Sequence, residues 1–257
     1  MASAFDPAAL AYDENFTRSV IGQYQRGQVY RHLSRALEPD NITDVLEINC
    51  GTGEDASWLA AQQFKVTATD ISENMIAEAT KKNSAATFLK ADINEISEVF
   101  NGRQFDLIFS NFGGLNCLSP EKLENFFKNI PGLLTESGKM ILVIMPKNTL
   151  WERLYFLLKR DFKNMSRRKK GNALAYVDGE FVDTFYYNPS TVAKMAKHVF
   201  NVKQTKPIGF FVPPSYLEPQ MTKRPKLAAM LDRLDHTFCW SILSKYADHY
   251  FIILEKQ

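Results

Sequence analysis

Five carboxylates and a glycine turn are the residues of this chain best placed for chemistry. In LEINCGTGEDASWLA, Leu46 to Ala60, an apolar run containing Glu47 leads into Asn49, Gly51 and Gly53 and then into two more acids, Glu54 and Asp55. Asp70 and Asp92 follow, each closing a later apolar stretch. Glycines let the main chain pass close to a ligand at positive φ, and Asn is the residue that best replaces glycine there. An acid about 20 residues beyond such a turn suits the two hydroxyls of a ribose. Asp92, in the next loop, suits an exocyclic amine. The set reads as nucleoside recognition by carboxylates.

The ligand class follows from charge. Gly51-Thr-Gly53-Glu-Asp-Ala56 formally matches the dinucleotide pattern G-x-G-x-x-G/A, with Asp70 as its acidic partner. A pyrophosphate there would meet Glu47, Glu54 and Asp55, at a cost of roughly 1–4 kcal/mol per close pair. S-adenosylmethionine has an ammonium, a sulfonium and a ribose diol but no phosphate, so Glu47 becomes an attraction. The turn therefore favours a cationic nucleoside.

The elements that must hold these residues alternate. Strands are expected over 44–49, 65–70, 86–92, 105–111 and 138–146, with helices over 57–63, from Ser72 to Lys82, and over 121–134. Helix is also expected over 15–37, stopped by Pro39, and over 149–164 and 189–198; strands over 179–188, 201–209 and 248–256 complete the chain. Alternating strands and helices make an α/β sheet with right-handed crossovers. Ligands of such sheets bind beyond the carboxyl ends of the strands, so the loops after the early strands form one site.

With 257 residues, 45% hydrophobic, and a net charge of +2, the chain suits a globular protein with one large domain and no broad nucleic-acid surface. The N-terminus has no signal-like apolar run, and no stretch is long enough to span a bilayer. Cys50, Cys117 and Cys239 are scattered and odd in number, which suits a reduced, cytoplasmic chain without a zinc site, its cysteines serving as packing residues.

The ordered motifs resemble those of class I S-adenosylmethionine-dependent methyltransferases of the small-molecule type. Val45-Leu-Glu47-Ile-Asn49-Cys-Gly51-Thr-Gly53 is similar to the family's strand, acid and glycine turn, with Asn49 for the first glycine. Asp70 in VTATDISENMI, Asp92 in LKADI, FDLIFSNFGGLNCL and LTESGKMILVIMP follow in order. The resemblance covers about residues 10–146 and, more loosely, the final strands. It implies a seven-stranded, mostly parallel, doubly wound sheet in the order 3-2-1-4-5-7-6, the last strand antiparallel, with helices on both faces. It implies an N-terminal helical cap (1–40), a cofactor-binding core (41–146), a lid carrying the acceptor (147–188), and a C-terminal part (189–257) with an insertion at 211–245.

The same resemblance implies S-adenosylmethionine as cofactor and a small-molecule acceptor. Gly51 and Gly53 would lie under the methionine part and Glu47 near its amino group. Asp70 would hold the ribose, Ile71 and Met75 flank the adenine, and Asp92, beside Ile93, take the adenine amine. Asn111 and Phe112 would separate cofactor from acceptor, and Tyr12 would close over the cofactor. Arg26 is a candidate for the cofactor carboxylate. His236, in LDHTFCW, is the candidate general base, although positioning supplies much of the rate in an in-line methyl transfer. Arg167-Arg168-Lys169-Lys170 reads as a solvated basic loop, and the aromatics of 151–162 and 176–187, with GFFVPPSYLEP (209–219), as an aromatic acceptor pocket. That composition favours a largely hydrophobic acceptor. Two other readings stay open: an NAD-dependent oxidoreductase, and a cofactor-binding regulator without catalysis.

Overall fold

The computed structural model describes residues 6–7, 9–38, 42–82, 84–162, 164–177 and 180–257; the expected helix stop at Pro39 lies outside them. The main helices are α1 (Val20–Leu37), α2 (Glu54–Ala61), α3 (Glu73–Lys81), α4 (Pro120–Asn129), α5 (Leu150–Leu158), α6 (Pro189–Ala196) and α7 (Pro225–Thr237). The strands are β1 (Asp44–Ile48), β2 (Lys65–Asp70), β3 (Thr87–Lys90), β4 (Phe105–Ser110), β5 (Leu134–Ile144), β6 (Asn172–Val177), β7 (Glu180–Phe185), β8 (Phe200–Ile208) and β9 (His249–Lys256).

Runs that are apolar on both faces, such as β1 and β4, are stable only between two covering layers. The first five strands pair in parallel, and β9 runs antiparallel between β5 and β8. The order is β3-β2-β1-β4-β5-β9-β8, which is the expected 3-2-1-4-5-7-6 once the separate β6–β7 hairpin is left out of the numbering. Side chains alternate between the faces. Leu46, Ile48, Ile108, Met140 and Leu142 pack with Leu123 and Phe127 of α4 and Val192 of α6. Val45, Leu107, Phe109, Ile141 and Val143 pack with Val29 and Leu33 of α1 and Leu59 of α2. No helix among the described residues is long and apolar enough to cross a membrane.

Several boundaries differ from the sequence reading, each for a local reason. Helix α2 starts at Glu54 rather than Ser57, since Glu54 and Asp55 in its first turn complement the helix dipole. Helix α4 stops at Asn129 because Pro131 cannot continue it; a 3-10 turn, Ile130–Leu133, leads into β5 at Leu134. Helix α5 ends at Leu158, two residues before Arg160 turns left-handed (φ 57°). The stretch after the basic run, read as loop, holds β6, paired with β7 from Asn172↔Phe185 to Val177↔Glu180.

Late in the chain, Asp235 of α7 accepts from the backbone N–H groups of Phe210, Phe211 and Val212 at 3.0, 2.9 and 2.9 Å. One buried carboxylate thereby fixes the GFFVPP turn. The insertion packs on α1 through Ile21, Val212, Met221 and Ala228.

Candidate cofactor site

The turn after β1 is left-handed at three residues: Asn49 (φ 60°), Gly51 (φ 53°) and Gly53 (φ 73°). Asn49 therefore takes the conformation that a glycine would otherwise supply. Asp70, ending β2, accepts from Gly51 N–H and Ser72 N–H at 2.9 Å each, one on each carboxylate oxygen. Ser72 caps α3 by accepting from Met75 N–H at 3.1 Å. Phe112 (φ 43°) and Gly113 (φ 78°) bend the loop after β4 back toward this turn. There is no room for a side chain at Gly114, where a Cβ would stand 2.5 Å from the Asn49 Cβ.

These loops enclose a cavity of about 250 Å³ at the carboxyl ends of the parallel strands. It gathers Asn49, Gly51, Asp70 and Asp92 from the loops after β1, β2 and β3. Ile71, Met75 and Ile93 line it as well, while Asn111 and Phe112 come from the loop after β4 and Tyr12 from the N-terminal segment. Gly113 and Gly114, within the loop read from the sequence though given no role of their own, also line it, and so does Lys122, which sequence reasoning missed. Cys117, read as a packing residue, is exposed and lines the same cavity.

Three expected cofactor residues stand outside the cavity wall. Gly53 meets protein instead: a Cβ there would lie 2.6 Å from the Phe88 ring and 2.8 Å from the Ala79 Cβ. Arg26 is buried, ion-paired with Asp55 and set over the Phe112 ring at 5.1 Å. Asn111 Nδ2 donates to the other oxygen of Asp55 at 2.9 Å, so Arg26 and Asp55 together hold the loop after β4. Glu47 is fully buried behind the turn, and its Oε2 has no hydrogen-bond partner. Burial, reinforced by Asp55 and partly opposed by Arg26, pushes its carboxyl well above the usual carboxylate range.

The acids of the turn are also neutralised. Lys82 reaches Glu54 and Asp13 at 2.9 Å each, and Arg26 answers Asp55. The repulsion of a pyrophosphate read from the sequence is correspondingly weaker, because Arg26 answers Asp55 and Lys82 is shared between Glu54 and Asp13. Asp13 also accepts from Thr52 Oγ1 at 2.6 Å, tying the N-terminal segment to the turn. Burial pushes the Tyr12 hydroxyl up to about 12, so it stays a neutral donor at the cavity.

His236 is not brought to the cavity. It lies on the outer side of α7, with Nε2 3.5 Å from Asp232, one helical turn back. The histidine behind the site is His249, whose ring meets Phe112 edge-on at 5.4 Å. The basic run is only partly solvated: Arg167 and Arg168 both bind Glu152, and Arg168 also reaches Asp248 at 3.4 Å. Of the expected aromatic lid, Tyr155 packs on Tyr216 at 4.7 Å between ring centres, and Trp151 Nε1 donates to Phe210 O at 2.9 Å. The side chains of Tyr176 and Phe181 lie outside the described residues. Asn116 joins lid to site, donating to Phe185 O at 2.5 Å and accepting from Met145 N–H at 2.9 Å.

Comparison with known proteins agrees with this architecture. Residues 45–138 match the model of a methyltransferase domain family. A malonyl-[acyl-carrier protein] O-methyltransferase from Enterobacter lignolyticus is 27% identical over 186 residues, 70% of this chain and 69% of that protein. A demethylmenaquinone methyltransferase from Clavibacter sepedonicus is 29% identical over 125 residues, 48% of this chain and 49% of that one. Among solved structures, the DhpI complex with SAH has a TM-score of 0.60 at 16% identity, covering 98% of this chain and 93% of its own. Magnesium protoporphyrin IX methyltransferase from Synechocystis with bound SAH has a TM-score of 0.59 at 15% identity, covering 93% and 86%.

Proposed function

Because the chain belongs to the class I S-adenosylmethionine-dependent methyltransferases, we propose that its acceptor is small and largely hydrophobic, methylated at an oxygen, nitrogen or carbon atom. The observation that carries the reading is the meeting of Asp70, Asp92, Gly51 and Phe112 in one cavity at the strand ends. When bound, S-adenosylmethionine supplies an electrophilic methyl group on a positively charged sulfur. The residues present fit it. Asp70 faces the cavity with both oxygens ordered by backbone N–H groups, as a ribose diol requires. Glu47, buried behind the turn with its Oε2 unpartnered, would meet an ammonium group through water. Ile71, Met75 and Ile93 give adenine an apolar slot, with Asp92 at its edge.

The chain's own work is positioning and exclusion of water. Arg26, Asp55 and Asn111 fix Phe112 at the cofactor cavity. Arg168 Nη1 in the lid and Tyr216 Oη in the later insertion are buried without protein partners, and we assign them to a polar end of the acceptor. The test is calorimetric titration with S-adenosylhomocysteine and NADH in parallel. Binding of the former alone is expected. Binding of NADH alone would overturn the cofactor assignment.

A further inference from the structure

Helix α5 exposes apolar residues one helical turn apart. Leu150, Leu154, Leu157 and Leu158 are 42%, 47%, 49% and 75% exposed, and Phe162 just beyond is 64% exposed. That row is the i, i+4, i+7, i+8 face of an amphipathic helix, but it is turned outward. Its inner face is occupied: Glu152 binds Arg167 and Arg168, and Trp151 is bonded to Phe210. The apolar surface continues away from α5. Phe210 meets Phe211, Phe211 meets Phe238, and Phe238 meets Trp240, with ring centres 5.0, 5.9 and 5.3 Å apart. The path emerges at Trp240, 59% exposed, and Ile242, 69% exposed. Over half of the large apolar side chains exposed among the described residues lie on these two stretches.

Cations accompany both ends. Arg153, Lys159 and Arg160 stand on or just after α5. At the other end Lys206 reaches Cys239 O at 3.4 Å, beside a groove of about 450 Å³ lined by Arg35, Lys139, Lys203 and Lys206, with Glu255 as its acid. The whole chain carries a net charge of only +2, and the cations named here stand beside the exposed apolar residues, with Glu255 answering Lys203. Contiguous exposed apolar residues signal an interaction site. Leucines with an exposed tryptophan and flanking lysines and arginines match the interface of an anionic bilayer, where the apolar side chains enter the headgroup boundary and the cations meet phosphate.

We propose that this face, from α5 to Ile242, docks the protein on an anionic membrane surface. It adds to the methyltransferase reading without depending on it: membrane attachment needs neither cofactor nor acceptor. The first stretch belongs to the lid, so docking would bring the lid to the bilayer.

The experiment is co-sedimentation of the full chain with vesicles of phosphatidylglycerol and phosphatidylcholine in equal parts, and with phosphatidylcholine alone. Binding to the mixed vesicles is expected, weakened by added salt as surface charge is screened. Leu158→Asp and Trp240→Ser, both at exposed positions, should each lower the partition about tenfold, as should Lys159→Glu with Arg160→Glu. Calorimetric affinity for S-adenosylhomocysteine should be the same in all of them, showing an intact fold. No sedimentation, or variants that sediment as the parent does, would overturn the proposal. So would a dimer in ultracentrifugation that Leu158→Asp dissolves while vesicles bind nothing, which would give the face to a second copy. A chain that sediments but binds no S-adenosylhomocysteine would refute the cofactor reading and leave this one standing.

Discussion

Asp70 and Gly51 are joined by a 2.9 Å hydrogen bond, from the Gly51 N–H to Asp70 Oδ2. The acid proposed to hold the ribose also fixes the turn on which the methionine part would rest. Asp70→Ala should therefore weaken S-adenosylhomocysteine binding at least tenfold, about 1.4 kcal/mol. Burial raises the Asp70 carboxyl, with the N–H groups of Ser72 and Gly51 opposing it. The ribose requires the ionised form, so affinity should fall as pH is lowered through that raised value. Asp70→Asn should lose this pH dependence. Unchanged affinity in Asp70→Ala by calorimetry would remove Asp70 from the ribose.

Glu47 gives a prediction for the ligand-free protein. Its folded pKa lies well above that of the unfolded chain, chiefly through burial. The folded state then holds this proton more tightly, so stability is highest below the unfolded pKa of about 4.3 and is lost as pH rises toward the raised value. Glu47→Gln keeps the shape without the ionisation. It should raise the melting temperature near neutral pH by a few degrees, roughly 2–4 °C per kcal/mol for a chain of this size, and flatten its pH dependence. It should also weaken S-adenosylhomocysteine, whose ammonium loses an anionic partner. Melting curves of the two proteins that run parallel from about pH 5 to 9 would contradict this.

How far the sequence was legible depends on what each signal encoded. The strands and the cavity residues were legible, because strand runs and loop acids are local signals and the fold brings the strand ends together; the sheet order came from the family resemblance alone. Asn49 was legible for the same reason: its role is its own backbone angle. Pairing was not. Glu54 and Asp55 looked like a negative turn because Lys82 and Arg26, which neutralise them, come from other helices. Arg26 looked free to meet a ligand until α1 placed it against Asp55. His236 stood out in LDHTFCW within the late insertion, whereas His249 sat inconspicuously at a strand start and only the fold puts it behind Phe112. Arg168 looked solvated because Glu152 and Asp248 lie 16 and 80 residues away.

Gly53 separates packing from binding. An added Cβ would meet the Phe88 ring at 2.6 Å, at a left-handed φ of 73°. Gly53→Ala should cost about 1–3 kcal/mol from strain and overpacking, seen as a lower denaturation midpoint. Phe88→Leu in the same chain should recover part of it. Affinity of the folded fraction for S-adenosylhomocysteine should not change, because Gly53 is outside the cavity wall. A loss of affinity that Phe88→Leu does not restore would instead put Gly53 against the cofactor, as the family resemblance implied.

Asp248 links the lid to the loop after β4, and its titration makes that link measurable. Burial acts to raise its pKa, but the His249 ring, Arg168 and Gln25 outweigh burial and hold it at about 2. A depressed carboxylate stabilises the fold above its unfolded pKa of about 3.9, and that stability is lost as pH falls toward the folded value. Asp248→Asn removes the charge that answers Arg168, a buried cation also paired with Glu152. The variant should lose about 3–5 kcal/mol near neutral pH, the cost of breaking a buried pair. Its stability should fall less steeply than the parent's between about pH 4 and 2, because the titrating group is gone. Urea titrations across that interval measure both. Because His249 lies between Asp248 and Phe112, the variant should also weaken S-adenosylhomocysteine binding, while Glu152→Gln, which loosens Arg168 from the far side, should lower stability with a smaller effect on affinity. Equal effects on affinity would mean that the lid moves as one body, with no separate route through His249.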